Sequence, residues 1–439
     1  MAERQTRILP VRRLNAAPDH TSIAEWWASE KNKGTAEAAA VTKAAEALRS
    51  SEIPVGFPTE TVYGLGADAT RSAAVQGIYK AKKRPSDNPL IIHVDSLDML
   101  SRILNPTQSN QLGSSPATPN SNSNKIPAIY EPLIARFWPG PLTILLPNPA
   151  GSPLAKEVTA NLTTFGVRMP SSAFARLLIH VADRPLAAPS ANASTKPSPT
   201  TAQHVYDDLK GRIDLILDGG SCGVGVESTV VDGLSDPPAI LRPGGIGIEE
   251  IRACPGWEKV KVGYHDSALK SKEAPRAPGM KYRHYSPKAQ VVLFEAGSDI
   301  SSIMGRVKKD LQSATAAPDG ARKIGIVRTR TWPVALGLTS SENQSTFSIR
   351  EISMTSDGDI TGISSNGANS DSSLAASVFD LNLGSSADAI ARGLFSVLRA
   401  LDGINVDVIY VEGIHDEEGD LAAAVMNRLR KASEVAITV

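Results

Sequence analysis

A chain of 439 residues can hold two or three domains, and its 41% hydrophobic and 21% charged residues are typical of a globular protein. Its 46 lysine and arginine residues are balanced by 46 aspartate and glutamate residues, which argues against a strongly basic nucleic-acid binder. The two cysteines lie far apart, which excludes a disulfide framework and a CxxC zinc pair and suits a reducing compartment. No apolar run reaches the length of a membrane span. We therefore expect a cytoplasmic protein, and the arginine-rich start leaves a mitochondrial pool open.

The first predicted helix follows a stretch without periodicity. Residues 1–35 show no steady hydrophobic repeat and are predicted to form a tail. From Ala36 to Ser50 the sequence is rich in alanine and places one apolar stripe at helical spacing, so it predicts a helix. A strand from Ile53 to Phe57 follows, and it breaks at Pro58 into a turn that is rich in threonine and glycine.

Four cations stand where the next helix must end. Pro85 lacks an N–H group and restricts its neighbour, so the helix stops before it. The loop therefore opens with Lys80, Lys82, Lys83 and Arg84. Because the glycine-rich turn at residues 64–66 is expected nearby, this stretch is a candidate polyphosphate site. The alternative is a solvated basic helix end, which also suits the helix dipole.

The middle of the chain alternates strands with helices, which predicts an α/β domain over residues 36–262. Its predicted strands are Leu90–Val94, Leu142–Leu146, Phe165–Met169, Leu215–Leu217, Val230–Asp232 and Ala239–Leu241, with an extended run at Pro185–Pro189. Its later predicted helices are Ala173–Val181, capped by Ser171 or Ser172, and Ala202–Leu209. Residues 105–125 are rich in serine, asparagine and proline, and are predicted to be a flexible insertion.

A predicted linker at residues 263–289 is rich in lysine and proline and ends in PGMKYRHYSP. The pattern then restarts, and residues 290–439 are predicted to form a smaller Rossmann-like α/β domain. Its predicted elements are the strands Val291–Phe294, Lys323–Val327 and Val408–Val411 and the helices Ser385–Leu401 and Leu421–Ala432. Residues 339–373 are predicted to be a flexible insertion with a brief strand near Phe347–Ile352. Without a GxGxxG fingerprint we infer no bound dinucleotide there.

Polar and cationic side chains cluster in the predicted loops of the first domain, where loops present groups to a ligand. They are the cations Lys82, Arg84, Arg168 and Arg242 and the neutral residues Thr59, Thr61, Asn88, Ser190, Asn192, Ser198 and Ser228. Arginine forks match carboxylates and phosphates, so this mixture is typical of a site for a phosphate-bearing anion. The chain has no GxxxxGK[ST] loop, GxSxG elbow or HExxH pair, which excludes those enzyme classes.

Several of these signals also have a purely structural interpretation. The segment Ser190–Asn192, taken alone, is a common kind of turn, and residues 219–225 are rich in glycine because a loop must bend there. Arg168 lies in an apolar strand and is alternatively the partner of a core carboxylate. His93 at a strand end is alternatively a structural histidine with satisfied hydrogen bonds.

Several short motifs occur together in one order. They are PTETVYGLGADA from Pro58, KxR at Lys82–Arg84, SxN at Ser190–Asn192, and then ESTVVD and ILRPG. In this combination the chain resembles the YrdC-like family over about residues 36–290. PGMKYRHYSP followed by a second α/β domain resembles its two-domain members, the threonylcarbamoyl-adenylate synthases. The resemblance implies an α/β fold, with a YrdC-like twisted mixed sheet and helices plus the smaller Rossmann-like domain.

The resemblance also implies a nucleotidyl-transfer reaction, in which L-threonine, bicarbonate or CO2 and ATP give threonylcarbamoyl-AMP and pyrophosphate. A separate threonylcarbamoyl transferase would place the group on the adenosine next to the anticodon in tRNAs that read codons beginning with A. Mg²⁺ is expected with ATP, held by substrate oxygens and water, because no protein carboxylate stands out as its ligand. No general base stands out either, and no membrane partner is expected.

The resemblance assigns roles position by position. Lys82 and Arg84 would face the triphosphate as the catalytic pair. The other nucleotide contacts would come from Asn88, Thr164, Ser190, Asn192, Ser198, Arg242 and the linker residue Tyr285. Arg168 would fork onto the threonine carboxylate. The amine and hydroxyl of threonine would be read by Thr61, His93, Ser228 and the backbone near Ala188.

The linker after the Pro-Gly break is predicted to fold over the open site of the first domain as a lid, and the alternative is a bare tether. Two other functions are alternatives to synthesis. One is a module that binds RNA without chemistry, against which the zero net charge argues. The other is a carbamoyl-transfer enzyme of the hydrogenase-maturation type, whose members carry zinc-binding CxxC pairs that this sequence lacks.

Overall fold

The structure, a computed structural model, describes residues 4–16, 22–106, 125–264, 284–312, 322–338, 347–366, 376–419 and 421–437. The chain divides into two compact units. The N-terminal unit comprises residues 1–194, 198–222 and 227–282, and the C-terminal unit comprises residues 195–197, 223–226 and 283–439. Among the described helices, none combines the length and apolar character that a bilayer crossing requires.

Eleven described strands form one sheet in the N-terminal unit. They are β1 Arg7–Pro10, β2 Val55–Phe57, β3 Gly64–Asp68, β4 Ile91–His93, β5 Leu142–Pro147, β6 Thr164–Arg168, β7 Leu186–Ala187, β8 Leu215–Asp218, β9 Thr229–Asp232, β10 Ala239–Arg242 and β11 Lys261–Val262. Their order in the sheet is β1-β8-β2-β3-β7-β4-β6-β5-β9-β10-β11. Parallel and antiparallel neighbours alternate irregularly, so the predicted mixed α/β sheet is confirmed.

The helices of this unit bury one face, and five of them begin at a serine or threonine whose side chain caps the helix. The helices are α1 Ile23–Asn32, α2 Ala36–Ser50, α3 Ser72–Lys82, α4 Leu97–Leu104, α5 Glu131–Phe137, α6 Lys156–Thr159, α7 Ala173–Ala182, α8 Ala202–Leu209 and α9 Ile248–Arg252. In α2 the predicted apolar stripe is buried, and the Thr35 side chain accepts a hydrogen bond from the N–H of Ala38. Ser172 is the residue that caps α7, by accepting from the N–H of Ala175.

The prediction of a tail over residues 1–35 was wrong. Strand β1 pairs in parallel with β8, and α1 begins at a capping box formed by Ser22 and Glu25. Leu14 and Trp26 are buried in the core of the unit. The strand escaped the sequence reading because it is a four-residue edge strand, held by backbone hydrogen bonds to a distant segment.

The glycine-rich stretch after Pro58 also differs from its prediction as a turn. Gly64–Asp68 is the fully buried strand β3, which pairs antiparallel with β2. A Cβ atom at Gly66 would lie 2.8 Å from a ring carbon of Phe57, closer than real contacts allow. Gly66 therefore leaves the space that the Phe57 ring occupies against this strand. The turn is confined to residues 58–63.

The C-terminal unit contains a second sheet, of order β15-β14-β16-β13-β17-β12-β18. Its strands are β12 Gln290–Phe294, β13 Arg322–Arg328, β14 Phe347–Met354, β15 Ile360–Asn366, β16 Ala376–Asn382, β17 Val408–Glu412 and β18 Val435–Ile437. Its helices are α10 Ile300–Gln312, α11 Ala387–Ile404 and α12 Ala422–Ala432. Every described pairing except that of β14 with β15 is parallel, as a Rossmann-like arrangement requires.

The prediction of a flexible insertion over residues 339–373 was wrong in its middle, although the brief strand predicted near Phe347–Ile352 is confirmed as part of β14. There β14 and β15 form an antiparallel hairpin, in which Ile352 lies opposite Ile363. Strand β15 is at the sheet edge, its residues 361–363 are exposed and most of its residues are small or polar, so it gives little apolar signal. Residues 339–346 and 367–375, like most of the predicted insertion at 105–125, lie outside the described residues.

The carboxyl ends of the parallel strands in the C-terminal unit hold a buried carboxylate. Glu412 at the end of β17 accepts hydrogen bonds from the backbone N–H groups of four successive residues, 329–332, at 2.6 to 3.2 Å. Such a nest of N–H groups is the feature that binds phosphate in dinucleotide folds. In this unit those donors are committed to Glu412.

Candidate active site

A chain of hydroxyl groups at the end of β2 leads to a buried arginine at the end of β6. Thr59 Oγ1 donates to the carbonyl of Val62 at 2.7 Å, so its oxygen is the acceptor in the 2.9 Å contact with Thr61 Oγ1. Thr61 in turn accepts from Nη1 of Arg168 at 2.9 Å. The hydroxyl of Thr61 is therefore oriented by Arg168 on one side and by Thr59 on the other.

Arg168 is 3% exposed, yet its hydrogen bonding is incomplete. Its Nη2 lies 2.9 Å from Oε2 of Glu60, which supplies a counter-charge. Neither Nε nor Nη2 has an aligned hydrogen-bond partner among the described residues, and neither does the buried Oε1 of Glu60. The Nε/Nη2 edge is the edge with which arginine grips a carboxylate in two parallel bonds. Arg168 thus has the carboxylate partner that the structural alternative predicts, and it also keeps a fork edge without aligned hydrogen bonds.

His93 stands beside Arg168, because β4 and β6 are parallel and these two residues are register partners. Burial, with the nearby Arg168 charge, lowers the pKa of His93 to about 3, so the ring is neutral at physiological pH. Its Nδ1 lies 3.3 Å from the carbonyl of Ile91, which can only accept, and this assigns the proton to Nδ1. Nε2 therefore presents a lone pair, which suits an ammonium or hydroxyl donor.

The depressed pKa of His93 predicts an acid-dependent loss of stability. An unfolded histidine has a pKa near 6.5, so between about pH 6.5 and pH 3 the unfolded chain binds the extra proton. Stability should therefore fall as pH falls through that window. From pH 7 to pH 5 the wild type should lose on the order of 2 kcal/mol more than His93→Asn, measured by urea unfolding. Parallel losses in the two proteins would contradict the assignment.

Lys82 at the end of α3 binds the loop that carries the SxN motif. Its Nζ is buried and donates to the carbonyl of Ser190 at 2.5 Å, to the carbonyl of Asn192 at 2.7 Å and to Asn192 Oδ1 at 3.3 Å. Ser190 Oγ also donates to Asn192 Oδ1 at 2.6 Å. This ammonium group fixes the loop and places a positive charge beneath it, so the KxR and SxN motifs are parts of one structure.

The loop after α3 folds back around Asn88. Arg84 donates through Nη2 to the carbonyl of Pro89 at 3.1 Å, and Tyr79 donates its hydroxyl to the carbonyl of Asn88 at 3.0 Å. Burial raises the pKa of Tyr79 to about 12, so this hydroxyl stays a donor. Asn88 is 1% exposed, and its Oδ1 has no hydrogen-bond partner among the described residues. That oxygen is a ready acceptor for a ligand N–H or O–H group.

Arg242 at the end of β10 grips Ser228. It donates through Nε and Nη2 to the carbonyl of Ser228 at 3.1 and 2.8 Å, and through Nη2 to Ser228 Oγ at 3.0 Å. Ser228 Oγ also lies 2.8 Å from Thr143 Oγ1 on β5. Nearby in sequence, Glu227 accepts from Ser198 Oγ at 2.5 Å. Arg242 thus orients a serine that the sequence placed in the amino-acid site.

Backbone hydrogen bonds connect the turn that carries Thr59 and Thr61 to the SxN loop that Lys82 holds. The N–H of Ala191 donates to the carbonyl of Tyr63 at 2.8 Å, and Gly64 forms a bridge with Ser190, so the SxN loop lies against the turn at 58–63. Ala188 N–H donates to the Ile91 carbonyl at 3.0 Å, beside His93. Thr143 lies on β5, Ser228 directly precedes β9 and Arg242 ends β10. These three strands follow β6 in the same sheet.

Two further predicted nucleotide contacts are carried by other elements. Thr164 is half-buried at the start of β6, opposite Pro147 of β5. Tyr285 belongs to the C-terminal unit, where its ring stacks on Phe395 at 5.2 Å and lies under the Arg428 guanidinium at 5.9 Å. Tyr282 and Arg283 of the predicted lid lie outside the described residues.

The sequence reasoning missed polar residues that complete the site. Glu60 is the counter-ion of Arg168 and stands between two selected threonines, so its place in the PTETVYG motif was the available signal. Thr143 sits in an apolar strand and gave no signal, because only the fold brings its hydroxyl to Ser228. Among the described residues, no group of three or more His, Cys, Asp or Glu side chains is placed to hold a metal ion.

Comparisons with known proteins cover both units. Residues 46–244 match the family model described as Telomere recombination, and residues 246–434 match the model described as Threonylcarbamoyl-AMP synthase, C-terminal domain. The threonylcarbamoyl-AMP synthase of Schizosaccharomyces pombe is 46% identical over 400 residues, which cover 90% of this chain and 88% of that protein. That of Pyrococcus abyssi is 39% identical over 380 residues, covering 86% of this chain and 90% of that protein.

One solved structure extends the likeness to the fold. The crystal structure of P. abyssi Sua5 complexed with L-threonine aligns with a TM-score of 0.68 at 35% sequence identity. The alignment covers 99% of this chain and 100% of that chain. The similarity therefore extends over both units.

Proposed function

This chain belongs to the threonylcarbamoyl-AMP synthase family, and we propose that its N-terminal unit joins L-threonine, bicarbonate or CO2 and ATP at the residues described above. The observation that carries the assignment of the amino-acid site is Arg168, a buried guanidinium whose fork edge lacks aligned hydrogen bonds. A zwitterionic amino acid offers the carboxylate that this edge matches.

The amino-acid site is proposed to form around Arg168. The substrate carboxylate would take its Nε/Nη2 edge, with Thr61, already oriented by the same arginine, as a neighbouring hydroxyl. The neutral His93 ring, with its lone pair at Nε2, would accept from the substrate amine or hydroxyl. Ser228, fixed by Arg242 and Thr143, would contact the hydroxyl, and the backbone near Ala188 would close the site.

The nucleotide site is proposed to form on the loops that Lys82 and Arg84 hold. Lys82 keeps the SxN loop in place and adds positive charge beneath it, where the phosphates of ATP would accumulate negative charge. Asn88, Ser190, Asn192, Ser198, Arg242 and Thr164 would supply neutral and cationic contacts to the nucleotide, and Tyr285 a contact from the linker. The unpartnered Oδ1 of Asn88 supports this role.

The chemistry then needs positioning more than it needs a protein nucleophile. The neutral amine of threonine adds to the carbon of CO2 and loses a proton, which gives a carbamate. A carbamate oxygen attacks the α-phosphorus of ATP, the bond to the bridging oxygen of the β-phosphate breaks, and pyrophosphate leaves. Mg²⁺ is proposed to accompany ATP and to neutralise charge on its phosphates, with ligands from substrate oxygens and water.

The chemistry of the product determines the class of reaction that must consume it. Threonylcarbamoyl-AMP is a mixed anhydride, so an acyl-transfer enzyme has to pass its threonylcarbamoyl group to an acceptor before water does. We propose that the acceptor is the adenosine next to the anticodon of tRNAs that read codons beginning with A, served by a separate transferase. The compartment proposed for this step is the cytoplasm, with a mitochondrial pool as the further option.

The test is a panel of amino acids with ATP and bicarbonate but no RNA. L-Threonine should give pyrophosphate and an adenylate whose mass matches threonylcarbamoyl-AMP. L-Serine keeps the hydroxyl and lacks a methyl group, so its kcat/KM should be lower by about 10- to 200-fold. L-2-Aminobutyrate lacks the hydroxyl and should be rejected more strongly, because buried polar groups are left unpaired. Pyrophosphate release that does not depend on threonine would refute the proposal, and RNA binding without turnover would favour the non-catalytic alternative.

A further inference from the structure

Glu60 lies next to two arginines, of which the proposed reaction uses only one. Its Oε2 is 2.9 Å from Nη2 of Arg168 and accepts weakly from the N–H of Ser172 at 3.4 Å. The second arginine is Arg176, one turn into α7 beyond the Ser172 cap. Ser172 and Arg176 are four residues apart on one face of α7, and the N–H of Arg176 donates to the carbonyl of Ser172 at 3.1 Å. The Glu60 carboxylate, which contacts the N–H of Ser172, therefore lies close to the start of the Arg176 side chain. The charges of Glu60 and Asp95 act on Arg176 in the direction that raises its pKa, against the larger lowering by burial.

The contact between Glu60 and Arg168 is an ion pair without good hydrogen bonds. The side chains are only 12% and 4% exposed, so their charges must be neutralised locally. Even so, Nε and Nη2 of Arg168 and Oε1 of Glu60 lack aligned partners among the described residues. A buried pair that is kept for stability is normally satisfied on every atom. This pair instead supplies charge balance and leaves the donors of the arginine fork without aligned hydrogen bonds.

Arg176 also has a buried donor, its Nε, without a hydrogen-bond partner among the described residues. Burial lowers its pKa, and the two neighbouring carboxylates oppose that shift without forming a hydrogen bond to Nε. A guanidinium in this condition is a ready second location for a carboxylate that moves away from Arg168.

We propose that Glu60 is a displaceable counter-ion, which neutralises Arg168 in the empty enzyme and turns to Arg176 when the carboxylate of the amino acid takes the Arg168 fork. The inference rests on the proposed amino-acid site at Arg168. Exchange of one carboxylate for another keeps the buried charge nearly constant through binding. It also makes Glu60 an intramolecular competitor, so the site holds its substrate less tightly than an open arginine would.

The competition gives the proposal a signature that a structural role lacks. Removing the competing charge should strengthen binding, and removing its second location should weaken it. The two substitutions should also not act independently, because Arg176 affects threonine binding only when the Glu60 carboxylate has to move to it. A residue that merely supports the fold would weaken binding in every background.

The experiment is a double-mutant cycle on the full chain, with the dissociation constant of L-threonine measured by calorimetry. Glu60→Gln should lower this constant by about 3- to 10-fold, and Arg176→Met should raise it by about 10-fold. The double variant should bind like Glu60→Gln alone, within about 2-fold. Arg176→Lys keeps a cation for Glu60 and should recover most of the affinity, which also covers the case in which Arg176→Met folds poorly. Glu157→Gln, a carboxylate change near Ser72 in the same unit, is the matched control and should bind like the wild type.

Two results would overturn the proposal while the proposed function stands. If Glu60→Gln weakens threonine binding, Glu60 holds the substrate amine rather than competing with the carboxylate. If the two substitutions act additively, Arg176 does not receive Glu60. Failure of the wild type itself to bind L-threonine, with no adenylate formed, would remove the amino-acid site and this inference together. Binding of L-threonine to the wild type therefore distinguishes failure of the proposed function from failure of the Glu60 proposal alone.

Discussion

Replacing Lys82 by methionine should lower the rate of threonine-dependent pyrophosphate release by at least about 100-fold. The ammonium group is buried and donates to three acceptors, the carbonyls of Ser190 and Asn192 and the side-chain oxygen of Asn192. Methionine fills a similar volume but leaves those acceptors unpaired and removes the positive charge beneath the SxN loop. A charge that stabilises a phosphoryl transition state typically contributes a factor of this size to kcat.

The substitution should also reduce stability, so the rate has to be compared with the folded fraction. Each unpaired buried acceptor costs about 1–3 kcal/mol, which a thermal melt would detect. Lys80→Met is the matched control, because Lys80 is exposed on the same helix and should leave both rate and melting temperature nearly unchanged. Turnover near the wild-type value in Lys82→Met, or a rate loss that only mirrors unfolding, would remove the phosphate role.

The elements that the sequence predicted best have a strong local signal. Helix α2 spans Ala36–Ser50 and α8 spans Ala202–Leu209, the same bounds as predicted, because one face is apolar and a threonine caps each start. Strand β14 contains the brief strand predicted near Phe347–Ile352, whereas β1 and β15 were missed for the opposite reason. Strand β1 is held by backbone pairing with the distant β8, and β15 is an edge strand of mostly small and polar residues, so both leave little trace in a local pattern.

The candidate site also contains features that the sequence predicted and contacts that it could not predict. Motif reasoning selected Lys82, Ser190 and Asn192 as separate groups, and the structure binds them to one another. It allowed for a carboxylate partner of Arg168 but could not identify that partner, because Glu60 reads as an ordinary charged residue in a loop. The contact depends on β6 ending beside the turn at residues 58–63, which is a property of sheet order rather than of spacing. The ligand assignments at Lys82 and Arg168 remain predictions.

Replacing Arg168 by methionine should raise the KM for L-threonine by at least about 100-fold, with a smaller change in the KM for ATP. A bidentate bond to a charged group contributes about 1.5–3 kcal/mol per hydrogen bond, and its loss would leave both the substrate carboxylate and Glu60 without a cation. Arg168→Lys keeps the charge but cannot form the fork, so its KM should lie between those of methionine and arginine. Arg102→Met, at an exposed ion pair with Asp183, should behave like the wild type. If threonine saturates Arg168→Met at the wild-type concentration, the carboxylate binds elsewhere, and the reason for placing the amino acid at the end of β6 disappears.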